Sequence, residues 1–272
     1  MGLYHKLTRR PGHSAPPPLL RRFDPLSHLL NKTTLIRRDR LRQLKDRENA
    51  YFDLQFIRAM DPDKRSRCVD LLDSSRSQIR QDIFALAQLD FKRDGFFVEF
   101  GATNGVELNN TLLMETDFGW TGILAEPAAG WHEDLRKNRK AIIDTRCVWN
   151  ETGQKLQFTE TASAINSAIS SFVKTSRKMR GQTYEVETVS LNDLLHQHGA
   201  PDVIDYISID TEGSELDILT ALDFDRWSFR VMTVEHNYEP QREGVHALLT
   251  DKGYTRVKQG VSRFDDWYIK AK

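Results

Sequence analysis

The chain has 272 residues, 39 Lys and Arg against 39 Asp and Glu, 39% hydrophobic residues and a mean hydropathy of −0.55. That profile describes a soluble globular protein of one large domain, with or without an appendage. No stretch approaches the roughly 18 uncharged apolar residues that cross a bilayer, and the N-terminus lacks the apolar core of a secretory signal, so the cytoplasm is the expected compartment. The two cysteines, Cys68 and Cys147, form no Cys-x-x-Cys pair and have no His at metal-ligand spacing, which argues against a disulfide scaffold or a zinc site.

The zero net charge conceals an asymmetry: residues 1–60 carry 13 Lys and Arg against 5 Asp and Glu, and the remainder carries the compensating excess of acid. Five of the nine prolines fall between Pro11 and Pro25, so the chain is expected to open as an extended basic leader. From Leu35 to Met60, Leu41, Leu44, Phe52 and Leu54 suggest a helix with an irregular apolar stripe. No aromatic residues interleave with the arginine pairs, so a nucleic-acid role for the leader is disfavoured. Residues 61–94 read as a helical lead-in, with one helix over Ser66–Leu89 carried by Val69, Leu72, Ile79, Ile83, Phe84, Leu86 and Leu89.

Residues 95–272 form the expected main domain. Phe96–Phe100, Gly122–Ala125, Ala141–Ile143, Val203–Ile209 and Val231–Val234 read as buried strands separated by helical stretches, and Gly253–Val257 with Trp267–Lys270 as a closing hairpin. Strands alternating with helices predict an α/β fold with a mostly parallel sheet covered on both faces. Ligands in such sheets bind beyond the carboxyl ends of the strands, so the residues that follow each apolar run matter most.

The first strand ends in Glu99-Phe100-Gly101-Ala102-Thr103-Asn104-Gly105, with a helix expected to begin near Val106. The glycines let backbone approach a ligand closely, but a dinucleotide fingerprint needs Gly where Thr103 and Val106 stand. With Glu99 closing the strand, a cationic ligand without phosphate is better served, and S-adenosylmethionine answers that description. The second strand ends in Glu126-Pro127, 21 residues after Gly105, where an acid accepts both ribose hydroxyls of a nucleoside. The third end holds Asp210, Glu212 and Glu215 within six residues. Glu215, in a first helical turn, has a structural reading through the helix dipole. Asp210 and Glu212 can orient an acceptor hydroxyl, hold the cofactor's methionine end, or, with Glu235, bind a divalent cation such as Mg²⁺. The fourth end, Glu235-His236-Asn237, places a histidine where it can take the proton of an attacking hydroxyl.

The run Ser77-Gln78 with Gln81-Asp82, then FVEFGATNGVELNNTLLMETDFGWTGILAEP, DYISIDTEGSELDIL, VEHN and DDWYI, resembles the FkbM family of S-adenosylmethionine-dependent methyltransferases, over roughly residues 77–269. The resemblance implies a Rossmann-like class I methyltransferase fold with a seven-stranded sheet, S-adenosylhomocysteine as product, and O-methylation of a hydroxyl on a sugar, glycan or natural product. Carried over residue by residue, it implies cofactor contacts from Glu99, Gly101, Ala102, Thr103, Asn104, Gly105, Glu126, Pro127 and Asp210, with Glu212, Gly213 and Glu215 completing the Asp-x-Glu-Gly-x-Glu signature. Asn150, after Cys147-Val148-Trp149, is the candidate adenine contact on position alone.

Methyl transfer from a sulfonium is an in-line displacement that needs alignment at about 3 to 3.5 Å and a proton acceptor for the hydroxyl. His236, Asp210 and Glu212 are the candidate catalytic groups. Thr159–Thr183, rich in Ser and Thr and followed by Lys174, Arg177, Lys178 and Arg180, reads as a loop or helical lid suited to an anionic acceptor. Two further readings stay open: a nucleic-acid methyltransferase using the leader, for which no Asn/Asp-Pro-Pro-aromatic motif is present, and a non-catalytic binding module on the same fold.

Overall fold

The structure is a computed structural model that describes residues 38–161, 168–169 and 181–271. The expected extended leader and the basic run Lys174 to Arg180 lie outside the described residues. Residues from Asn49 onward form one compact unit; residues 38–48 fall to a separate unit and are exposed.

In chain order the helices are α1 (Arg38–Ala59), α2 (Arg65–Leu71), α3 (Gln81–Gln88), α4 (Leu112–Phe118), α5 (His132–Asn138), α6 (Leu191–Gln197), α7 (Glu215–Thr220) and α8 (Arg242–Asp251). The strands are β1 (Phe96–Phe100), β2 (Thr121–Ala125), β3 (Ile142–Asp144), β4 (Cys147–Trp149), β5 (Lys155–Thr161), β6 (Ala168–Ile169), β7 (Gly181–Ser190), β8 (Val203–Ile209), β9 (Ser228–Glu235), β10 (Tyr254–Val257) and β11 (Asp265–Lys270). Seven strands form one sheet in the order β10-β11-β9-β8-β1-β2-β3. All neighbours from β9 through β3 run parallel, and β11 alone is reversed, pairing antiparallel with both β9 and β10. This is the Rossmann-like class I methyltransferase sheet, including the closing antiparallel hairpin.

Alternation along the central strands divides the core. Val98, Phe100, Ile123, Ile207, Ile209, Met232 and Val234 pack with α6, α7 and α8 on one face. Phe97, Leu124, Tyr206, Val231 and Trp267 pack on the other with α3, α4 and the C-terminal part of α1. Here the supposed lead-in is part of the core. Phe84 stacks on Trp267 with ring centroids 4.4 Å apart, and Phe56 meets the same indole edge-on at 6.3 Å. The Arg80 guanidinium grips both carboxylate oxygens of Asp53, tying α3 to α1.

Three local expectations are corrected. Ser66–Leu89 is two helices, because Arg80 adopts a left-handed φ of 66° and takes the Leu72 carbonyl with its own guanidinium, while Ser75 and Ser77 bond to Asp82 in place of helix continuation. The helix expected near Val106 starts at Leu112: the Asn104 side chain accepts the N–H groups of Val106 and Glu107, and Asn109 repeats the turn at Thr111 and Leu112. Both ends of Thr159–Thr183 are strand, not loop. They belong to β5 and β7 of a second, four-stranded sheet in the order β4-β7-β5-β6. Among the described residues no helix is long and apolar enough to cross a membrane.

Phe56 is fully buried against Trp267. Phe56→Ala should cost about 3–5 kcal/mol, read as a lowered urea midpoint at unchanged slope; a loss below about 1 kcal/mol would make α1 an appendage.

Candidate active site

Beyond the carboxyl end of β1 the backbone turns at Gly101, where φ is +74° and a Cβ would stand 2.7 Å from the Asp210 carbonyl oxygen, leaving room for no side chain. The ends of β1 and β8 are thereby held together. Ala102 is buried, Thr103 is left-handed (φ 49°), and Gly105 packs on Arg139 and Leu135. Several amides of this loop are engaged within the protein: Thr103 N–H donates to Glu126, Gly105 N–H to Ala102, and Val106 and Glu107 N–H to the Asn104 side chain.

Glu99 sits differently from the expectation that it faces a cationic ligand. Strand alternation turns it to the Phe97 face, where it is 1% exposed and accepts from Asn110 N–H at 2.7 Å and Thr111 Oγ1 at 2.5 Å. The cation beside it is Arg139. This fully buried guanidinium donates to Asn109, Thr111 and the Gly105 carbonyl and pairs with Glu115 at 3.1 Å. Burial pushes the Glu99 carboxyl up, and Arg139 opposes the shift. Glu99 therefore acts on the cofactor loop from behind, by fixing residues 105–111. Arg139 carries no signal in the sequence because it sits at the end of a charged helix, HEDLRKNRK, where an arginine is ordinarily solvated.

Glu126, closing β2, is also buried, and its carboxylate accepts from Thr103 N–H and Ala128 N–H, each at 2.8 Å. Burial raises its pKa to about 7 against the pull of those two amides. It thus links the β1 loop to the turn that begins at Pro127. Asn150 is exposed just past β4.

At the ends of β8 and β9, one carboxylate oxygen from each of Asp210, Glu212 and Glu235 lies within 4.8 Å of the others. Burial raises Asp210; burial and the neighbouring Asp210 charge raise Glu235, so the pair holds a shared proton at neutral pH. Asp265, opposite Glu235 on β11, is raised by burial to about 7 and accepts from Gln81 Nε2 at 3.0 Å. Gln81, a residue of the first family motif, thus supports the cluster from α3. Glu215 is structural: one oxygen accepts from Thr211 N, Thr211 Oγ1 and Gly213 N, the other from Gln241.

His236 is not brought into this cluster as a free base. Its Nδ1 accepts the Tyr238 N–H at 2.9 Å, so the proton of the neutral ring sits on Nε2, which faces Asp266 at 3.8 Å. Burial lowers its pKa although Asp266 opposes the shift, and Asp266 is itself claimed by Arg242 and Arg256.

Residues 99–261 match the model of the methyltransferase FkbM domain. The chain belongs to the FkbM methyltransferase family. Its family's methyl donor is S-adenosylmethionine, and the acid-lined strand ends fit a cationic cofactor. Methyltransferase sdnD of Sordaria araneosa is 35% identical over 79 residues, 26% of this chain and 30% of that protein, so the match spans less than a third of that relative. Among solved structures, this FkbM chain is similar to precorrin-6y C5,15-methyltransferase of Geobacter metallireducens (11% identity, 69% of this chain, 86% of that one, TM-score 0.39) and to a SAM-dependent methyltransferase of Aquifex aeolicus (12%, 77%, 98%, 0.36).

Removing Arg139 leaves the buried Glu99 carboxylate without its neighbouring cation and breaks the ion pair with Glu115. Arg139→Met should lose about 3–5 kcal/mol in urea unfolding, and adding Glu99→Gln should recover part of it; strict additivity of the two losses would show that the groups are uncoupled.

Proposed function

We propose that the protein methylates a hydroxyl of a small-molecule acceptor, a sugar, glycan or natural product, with S-adenosylmethionine as donor. The observation that carries this reading is the grouping of Asp210, Glu212 and Glu235 beside the Gly101 turn, where burial raises the Asp210 carboxyl to about 7, the range a general base needs near neutral pH. Glu126 accepts the ribose hydroxyls, the loop Gly101–Gly105 lies along the cofactor, Pro127 shapes the following turn, and Asn150 stands at the adenine end. The cofactor supplies an electrophilic methyl group and needs no activation beyond alignment. The chain must orient the acceptor and take its proton. We assign the proton to the Asp210–Glu235 pair, with Glu212 orienting the hydroxyl. His236 becomes a support for the Asn237–Tyr238 turn rather than the base, because its only free lone pair is committed to Tyr238 N–H. The same three carboxylates are the donor set a divalent cation such as Mg²⁺ would take.

S-Adenosylhomocysteine should bind in calorimetry and Glu126→Ala should abolish the binding. Because ribose hydroxyls donate to the ionised Glu126 carboxylate, whose pKa lies at about 7, affinity should rise about tenfold from pH 6 to pH 8. A flat profile would remove Glu126 from the ribose.

Turnover on a panel of glycoside acceptors, followed by transfer of labelled methyl, should fall at least about 100-fold in Asp210→Asn and less than about fivefold in His236→Gln. The reverse ranking would restore His236 as base. Activity that collapses in EDTA and returns with Mg²⁺ would give the three carboxylates to a metal.

A further inference from the structure

The second sheet reaches the cofactor side of the first. Its strand β7 carries Tyr184, opposite Phe158 of β5, and Glu160 of β5 stands two residues further along, diagonal to it. The Tyr184 hydroxyl donates to Glu160 Oε2 at 2.6 Å and accepts the Ala129 N–H at 2.9 Å. Ala128 N–H, one residue earlier, donates to Glu126. Successive amides of one turn are thus held from opposite sides, one by the ribose acid and one by the second sheet. Glu160 reaches the turn because residue 130 is glycine: a Cβ there would stand 2.4 Å from Glu160 Oε1. Below the turn, Ala128 packs with Cys147, Phe158 and Val186, so apolar burial presses the turn onto this sheet. The His132 ring closes the other end, with Nε2 2.7 Å from the Glu126 carbonyl oxygen.

We propose that Tyr184 and Glu160 are positioning residues for the cofactor, holding the Pro127–Trp131 turn so that Glu126 is presented to the ribose. The proposal rests on the methyltransferase reading above and deepens it. It gives the four-stranded sheet a role in donor binding. Glu160 also places a negative charge near Glu126, together with Glu99 from β1, while Cys147 of β4, Tyr184 of β7 and His132 of α5 are the other titratable groups around it. Among these, Glu160 is the neighbour whose charge can be removed while its hydrogen bond to Tyr184 is kept.

The test is calorimetric titration of the full chain with S-adenosylhomocysteine between pH 6 and pH 9, with thermal melts of each variant. Tyr184→Phe removes the hydroxyl that ties the Ala129 amide to Glu160, frees the turn, and should weaken binding about tenfold. Glu160→Gln weakens the acceptor of the Tyr184 hydroxyl and should lower affinity severalfold at pH 8, while its pH midpoint moves to lower pH because a negative charge no longer opposes ionisation of Glu126. A purely structural contact would lower the melting temperature but leave the affinity at pH 8 unchanged. If both variants match wild type across the pH range, the proposal is overturned while the methyltransferase reading stands. If the wild-type chain fails to bind, the reading fails first and the proposal with it. Should Tyr184→Phe not fold, the affinity of Glu160→Gln at pH 8 decides.

Discussion

Four acids stand at the carboxyl ends of β1, β2, β8 and β9, on a sheet whose strands are otherwise apolar and buried, and desolvation opposes the charge of every one. Each must be reconciled with its surroundings, and the fold does so in three different ways. Glu99 is matched by a buried guanidinium and two donors. Glu126 is matched by two backbone amides, which leaves lone pairs available and a pKa near neutrality. Asp210 and Glu235 are matched by each other, through a shared proton. The first solution is saturated and serves structure. The other two leave hydrogen-bonding capacity at the ends of β2, β8 and β9, which is the capacity the proposed donor and acceptor contacts draw on.

The sheet was legible in the sequence because buried parallel strands read as continuous apolar runs, and all seven were marked within a few residues. The second sheet was not, because β5 and β7 mix Thr, Glu and Gln with their apolar residues and frame a Ser/Thr-rich stretch that reads as loop. Asn104 and Asn109 explain the displaced start of α4: side chains that mimic backbone turns postpone a helix without disturbing the apolar spacing that predicts it. The placement of Glu126, Asp210, Glu212 and Glu235 at strand ends was readable from the apolar runs that precede them. The direction in which Glu99 and His236 face was not, since it depends on strand alternation and on one amide of Tyr238.

Backbone strain is concentrated at the same edge. Glu212, Asn237 and Tyr238 all have positive φ, and the Asn237 amide donates to Glu212. Non-glycine residues in this region cost about 1–3 kcal/mol each and persist where the surroundings over-determine them. Here the surroundings are identifiable: Glu215 gathers Thr211 and Gly213 beneath Glu212, and His236 holds Tyr238. His236 and Glu215, a histidine and the third acid of the signature, thus have their hydrogen bonds committed to the turns that carry Tyr238 and Glu212.

This division of labour accounts for the packing of the N-terminal helices as well. Gln81 is the link between α3 and the acid cluster, and it is held in place because α3 is pinned by Phe84 on Trp267 and by Arg80 on Asp53. Asp265, which accepts from Gln81, lies on the reversed strand next to Glu235, so its charge state bears directly on how tightly the Asp210–Glu235 pair keeps its proton. An apolar contact between a helix and the edge of the sheet is thereby coupled, through one amide and one carboxyl, to the proton affinity of the group assigned to the acceptor. The segment that precedes the strands in sequence is part of the site's support, and its removal would act on the chemistry and not on stability alone.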